Sequence, residues 1–189
     1  MKKMMMDFLF PPLPPAAARF DQWLKDGAPG SLVIRAEDFP DGHFDLTSVL
    51  VSGPWSRRFK QIGRSLCAWL GSMTPWFGWK RFWCRLAGVK IGRNVCLAPG
   101  VVLDLLVPQL IRIDDEAVLG MGSMINAHLY TPRRIFFGRV HIGEYGVVGA
   151  RAMVGNSVTV EPHGVVPENG LALGVPATVK TRAEPGRTE

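Results

Sequence analysis

From Leu46 to Leu103 the chain carries no aspartate or glutamate. Nine basic residues stand in that same stretch: Arg57, Arg58, Lys60, Arg64, Lys80, Arg81, Arg85, Lys90 and Arg93. The whole chain has a net charge of +6, so the remainder is about −3 by subtraction (6 − 9). A basic block on an otherwise acidic chain points to an anionic surface or ligand. Cysteine is scarce too: Cys67, Cys84 and Cys96 form an odd set without a CxxC pair. That argues against a disulfide framework or a thiolate zinc site and fits buried thiols in a reducing compartment. Long apolar runs are missing. The uncharged stretch Ser65 to Trp79 holds a proline and falls short of the roughly 18–20 residues a membrane-spanning helix needs. The opening MKKMMMDFLFPPLPP has two lysines but neither the apolar core nor the cleavage site of a signal peptide. A cytoplasmic protein is expected, with the inner face of the membrane as the other address. Nucleic acid is not expected as a partner.

What is present falls into zones. Residues 1–54 are irregular, with a polyproline-like PPLPP, a short helix over 16–26 and one strand at Leu32–Arg35. Residues 55–87 read as two amphipathic helices. Phe59, Ile62, Leu66, Trp69, Leu70 and Met73 fall at helical spacing on one stripe of the first. The second starts at Thr74-Pro75 and stops at Gly88. It sets Trp76, Trp79, Phe82, Trp83 and Leu86 against Lys80, Arg81 and Arg85 on the other side. Two readings stay open: apolar faces that cover the main domain, or a helical pair lying in an anionic membrane interface.

From Ile91 the chain counts in sixes: IGRNVC, LAPGVV, LDLLVP, then IDDEAV, LGMGSM, INAHLY, then IGEYGV, VGARAM, VGNSVT, VEPHGV, VPENGL. An aliphatic residue opens each unit, glycine is frequent second, and the fifth residue is mostly small. This is the signature of a parallel β-helix, three units per coil, with aliphatics stacked inward. The second-position glycine is expected to allow a bend. Over INAHLYTPRRIFFGRVHIG, residues 125–143, the count fails, and His128 stands where it fails.

These repeats, with the lead-in WCRLAGVKIGRNVCLAPG and the closing PENGLALGVPATVKTR, resemble the hexapeptide-repeat acyltransferases, the sugar, antibiotic and polysaccharide O-acetyltransferases above all. The resemblance covers about half of the chain. It implies a mainly β fold: a left-handed parallel β-helix over 88–182, after an irregular segment (1–54) and an α-helical region (55–87), with a loop at 129–140 and a tail at 183–189. It implies acetyl-CoA as donor, no metal, and a homotrimer with the site between subunits. His128 is the implied general base, which suits an alcohol that must lose its proton as it attacks a thioester. Gly149 and Ala150 mark the implied oxyanion corner, and Lys180 and Arg182 could hold the phosphates of coenzyme A. One departure is visible: VGNSVTVEPHGVVPENG stands where such enzymes commonly have a further GAxSxV-type coil and a Thr-Lys pair. His141 and His163 read as outward-facing. An N-acyltransferase and a catalytically silent scaffold remain as alternatives.

Overall fold

The computed structural model describes residues 13–39, 46–173 and the backbone of 178–181. Three parallel sheets stack along one axis. The first holds β2 (Lys90–Ile91), β5 (Ile111–Ile113), β10 (Val140–Ile142) and β13 (Thr159–Val160). The second holds β3 (Cys96–Leu97), β6 (Val118–Leu119), β11 (Val147–Val148) and β14 (Val165–Val166). The third holds β4 (Val102–Leu103), β7 (Met124–Ile125), β12 (Met153–Val154) and β15 (Gly170–Leu173). The chain visits the three faces in turn, four times, so the domain is a parallel β-helix. Antiparallel β16 (Thr178–Thr181) closes the third face against β15. From Leu97 to Val166 every residue that opens a repeat is at most 5% exposed, which makes one continuous apolar column.

The corners run on a different residue from the one the sequence suggested. In nine repeats the fourth residue has a positive φ: Asn94, Gly100, Glu116, Gly122, Tyr145, Arg151, Ser157, His163 and Asn169, between 51° and 73°. The turn is therefore made at position four, in the left-handed region. Second-position glycines do not bend the chain. They leave room for the next coil: a Cβ on Gly120 would lie 2.6 Å from the Ala150 nitrogen, and one on Gly149 would lie 2.4 Å from the Glu168 nitrogen. Only LDLLVP and INAHLY, repeats that follow each other on the third face in coils one and two, lack the positive φ at position four.

The break between coils is an ordered hairpin, β8 (His128–Thr131) and β9 (Arg134–Gly138), not a bare loop. The expected N-terminal strand is β1 (Ser31–Arg35), which pairs antiparallel with β9 and completes a three-stranded sheet. Helix α1 (Pro15–Lys25) packs on it, with Phe20 and Phe137 ring centroids 4.7 Å apart. A short helix, α2 (Leu46–Leu50), buries Val49 and Leu50 in the same core.

Helices α3 (Trp55–Met73) and α4 (Phe77–Ala87) form an antiparallel hairpin, but it is turned the other way from a covering pair. Thr74 closes α3, its hydroxyl donating to the Leu70 carbonyl at 2.7 Å, rather than opening α4. Gly88 ends α4 at φ 107°, as expected. The buried sides are small or polar: Gln61, Ala68 and Gly71 on α3, and Lys80, Cys84 and Ala87 on α4. A Cβ on Gly71 would meet the Cys84 sulfur at 2.8 Å, so the two helices cross where large residues do not fit. The apolar stripes are left outside, with Phe59 67%, Trp76 70% and Trp79 62% exposed. The cations of α4 face the β-helix. Arg81 donates to the Val95 carbonyl at 2.9 Å, and Arg85 to those of Ile91 and Gly92 at 3.1 and 2.7 Å. Lys80 is fully buried, and its Nζ has no hydrogen-bond partner.

Two predictions follow from these positions. Gly120→Ala should lower stability by about 1–3 kcal/mol in denaturant unfolding, whereas Ser157→Gly, which relaxes φ 61° and removes an unpaired buried hydroxyl, should lose little. Equal losses would contradict the assignment of the corner. At Lys80, burial lowers the ammonium pKa, opposed by Cys84, while burial pushes the Cys84 thiol up to about 11 against the Lys80 charge. The unfolded chain binds the Lys80 proton more tightly, so stability should rise with pH from the lowered value to the ordinary thiol range near about 8.5; above it the raised Cys84 thiol, whose proton the folded chain holds more tightly, offsets the rise. Lys80→Met should remove that slope and stabilise the protein by roughly 1 kcal/mol or more at pH 7, read from urea midpoints.

Candidate active site

His128 begins β8, at the point where the third face should turn into the first. Its side chain is 22% exposed and its Nδ1 lies 2.6 Å from Oδ2 of Asp104, whose side chain is fully buried. Asp104 sits one coil below, 24 residues away in sequence, in LDLLVP. Its carboxylate is an acceptor for five N–H groups. Leu106 and Val107 donate their amides to Oδ1 at 2.9 and 3.1 Å, and Ala127 and His128 donate theirs to Oδ2 at 2.8 and 3.1 Å. The fifth donor is the His128 ring. A carboxylate can only accept, so Nδ1 carries the hydrogen and Nε2 is left as the free lone pair. Both exceptional repeats, LDLLVP and INAHLY, thus give up the regular corner to build this pair. Gln61 of α3 adds a clamp from outside, its Nε2 donating to the Leu106 carbonyl beside the Asp104 turn.

Sequence reasoning missed Asp104. The available signal was an acid flanked by aliphatics in VVLDLLVP, at a repeat position where the chain is packed on both sides. A second pair exists at the surface: His141 Nε2 lies 2.6 Å from Asp114 Oδ2, with the imidazole 36% exposed. Arg112 binds the same carboxylate at 2.7 Å. Burial raises the Asp114 carboxyl, but hydrogen bonds and charge from Arg112 and His141 outweigh it and hold it below the usual range. His141 therefore has a partner that the sequence did not indicate. His163 lies at an outward corner as expected, stacked on Tyr145 with ring centroids 5.0 Å apart.

Gly149 and Ala150 are not beside His128 within one chain. They occupy the corner between the second and third faces, at the other end of the third face from His128. The Gly149 N–H already donates to the Val166 carbonyl at 2.7 Å. Lys180 lies on β16 in register with Leu171, and Arg182 falls outside the described residues. Among the described residues no group of three His, Cys, Asp or Glu side chains could hold a metal ion.

No family model matches the chain. YvoF of Bacillus subtilis (strain 168), a protein whose name describes it provisionally as an acetyltransferase, is 28% identical over 94 residues. The match takes in 49% of this chain, which spans 55% of that relative's length. The chain resembles the hexapeptide-repeat acetyltransferases. Among solved structures, a hexapeptide-repeat-containing acetyltransferase from Vibrio cholerae in complex with acetyl coenzyme A aligns over 72% of this chain and 91% of its own, at 14% identity and a TM-score of 0.47. A maltose O-acetyltransferase from Clostridium difficile 630 aligns over 75% and 99%, at 14% identity and a TM-score of 0.35.

The histidine–aspartate pair makes a prediction independent of any substrate. Asp104→Asn should cost at least about 2 kcal/mol, because one carboxylate oxygen becomes an NH2 donor and two or more of the five N–H groups lose their acceptor. It should also release the His128 tautomer, visible as a change in the imidazole nitrogen shifts by NMR. Unchanged nitrogen shifts would show that Asp104 does not orient the ring.

Proposed function

We propose that the chain transfers an acetyl group from acetyl-CoA to a hydroxyl of a sugar or sugar-containing acceptor, with His128 as general base and Asp104 as its positioning residue. The observation that carries this reading is the buried Asp104 carboxylate held 2.6 Å from His128 Nδ1 at the break of the coil. Nε2 takes the acceptor's proton as its oxygen attacks the thioester carbonyl carbon. When the carbon–sulfur bond breaks, the same proton returns to the departing thiolate. The left-handed sense of the coil and the 88–182 unit as the catalytic domain belong to the same reading.

A cyclic homotrimer completes the site in this proposal. Outward apolar side chains gather about the corner between the second and third faces: Met121 at 63%, Val118 at 39%, Met124 at 37% and Met153 at 37% exposure. Gly149 and Ala150 share that corner. Setting it against a neighbour's β8–β9 hairpin would bury the methionines and bring Ala150's N–H, which the ladder leaves unused, toward His128 of the partner subunit as an oxyanion donor. Lys180 and Arg182 remain the proposed contacts for the phosphates of coenzyme A. His128→Ala should assemble normally yet lose at least about 10²-fold in turnover, measured as thiol release from acetyl-CoA over a panel of sugar alcohols and amino sugars. Near-native turnover in that variant, or transfer to amines alone, would refute the assignment. A monomer by light scattering at micromolar concentration would refute the shared site.

Peripheral contact with an anionic membrane is the second part of the proposal, and the exposed stripes support it. No described helix is long and apolar enough to cross a bilayer. Ten large apolar side chains of α3 and α4, and Trp76 between them, stand between 46% and 70% exposed, more than isolated surface residues account for. Phe59, Trp69, Trp76, Trp79 and Phe82 are among them, and such rings favour the headgroup level. Arg58, which lies over Trp55 at 5.0 Å, borders the stripe of α3 in an acid-free stretch. Two copies of this face would set cation against cation, whereas anionic lipid neutralises them. Trp79→Ala with Phe82→Ala should leave the unfolding midpoint nearly unchanged and abolish salt-sensitive co-sedimentation with anionic vesicles. Wild-type protein that ignores such vesicles at low salt, or a dimer lost on the same substitutions, would overturn the lipid assignment.

A further inference from the structure

A cavity of about 690 Å³ opens between α1, α3 and the foot of the hairpin, and neither His128 nor Asp104 lines it. Its floor is apolar, made by Phe20, Leu24, Leu50 and Leu110. Five cations surround it, and the single acid among the lining residues is Asp21. That acid is already spent: Arg57 binds it through two nitrogens at 2.8 and 2.9 Å. Arg57 also ties down the Leu50, Ser52 and Val49 carbonyls, so the pair is a neutral structural strut. The other four cations, Lys25, Lys60, Arg64 and Arg139, have no hydrogen-bond or ion-pair partner among the described residues.

Two buried groups sharpen the picture. Gln109, on the 3₁₀ turn Pro108–Leu110, has both side-chain atoms, Nε2 and Oε1, buried without a partner. Arg64 stands next to it: a Cβ added at Gly88 would meet Gln109 Cβ at 3.4 Å and Arg64 Nε at 3.6 Å. Burial without a counter-ion lowers the pKa of that guanidinium. A concave wall with an apolar backing concentrates the field of like charges. A bound anion relieves that repulsion.

We infer that this cavity is a binding site for a phosphorylated small molecule, with a pyrophosphate or phosphomonoester group on Lys60, Arg64 and Arg139 and its organic part on the Phe20–Leu110 floor. Guanidinium and ammonium donors suit phosphate oxygens. The volume lies within the about 300–1,000 Å³ usual for ligands of nucleotide size. Lys60 and Arg64 leave α3 on the arc away from the exposed stripe, given about 100° per residue, which favours a soluble ligand over a lipid headgroup. The site stands independently of acetyl transfer.

Titration calorimetry of the full chain with inorganic pyrophosphate and with uridine diphosphate tests it, beside co-sedimentation with phosphatidic acid vesicles. Both soluble ligands should bind, more weakly as salt rises, with uridine diphosphate the tighter. Lys60→Gln, an exposed position with no partner to lose, should weaken both by about tenfold. Arg64→Gln should do at least as much, and Arg64→Lys should restore part of it. No heat from either ligand at millimolar concentration would overturn the inference, as would affinities unmoved by Lys60→Gln and Arg139→Gln. Vesicle binding that depends on Lys60 and Arg64, without any binding of pyrophosphate, would overturn the soluble-ligand assignment.

Discussion

Coils stacked at strand spacing, about 4.8 Å, leave no room for a side chain between their corners, and every other feature answers to that limit. Glycine at the second position lets the next coil's backbone pass within contact distance, as Gly120 does under Ala150. The turn itself then falls to the fourth residue, which accepts a left-handed φ even where it is Tyr145 or Arg151. Each such residue costs on the order of 1 kcal/mol, offset by a buried aliphatic in every repeat. A closed prism of this kind has no cleft. The rule is suspended at one corner in two successive coils.

That suspension explains the architecture of the His128–Asp104 pair. Where LDLLVP abandons the usual turn, amides that would have bonded along the ladder converge on Asp104. Where INAHLY abandons it one coil above, the chain leaves as a hairpin and sets His128 over the same carboxylate. The N-terminal strand β1 and helix α1 keep the hairpin from moving, through five β1–β9 residue pairs and the Phe20–Phe137 contact. Residues 13–39, which carry no recognisable chemistry in sequence, are thus the wall behind the site. Gln61 ties the outer helix to the Asp104 turn by one bond to Leu106, so the same helix that shows its aromatic stripe to solvent also braces the aspartate under His128.

The sequence by itself determined the repeat, its aliphatic column and the place of its break, because burial at period six leaves the same residue type at the same position in every coil. It also placed both helices and the strand, expected at Leu32–Arg35 and found at Ser31–Arg35, whose local patterns are self-contained. Only the tertiary structure decided which side of those helices faces inward. Periodicity shows that a helix has two faces; it cannot say which one the rest of the chain has room for, and the small residues Ala68, Gly71, Cys84 and Ala87 won the contact over the tryptophans. The same holds for the acid that serves His128. Asp104 and Asp114 look alike in the linear chain, and stacking alone, by setting positions 24 residues apart one above the other, buried the first beneath a histidine and left the second at the surface.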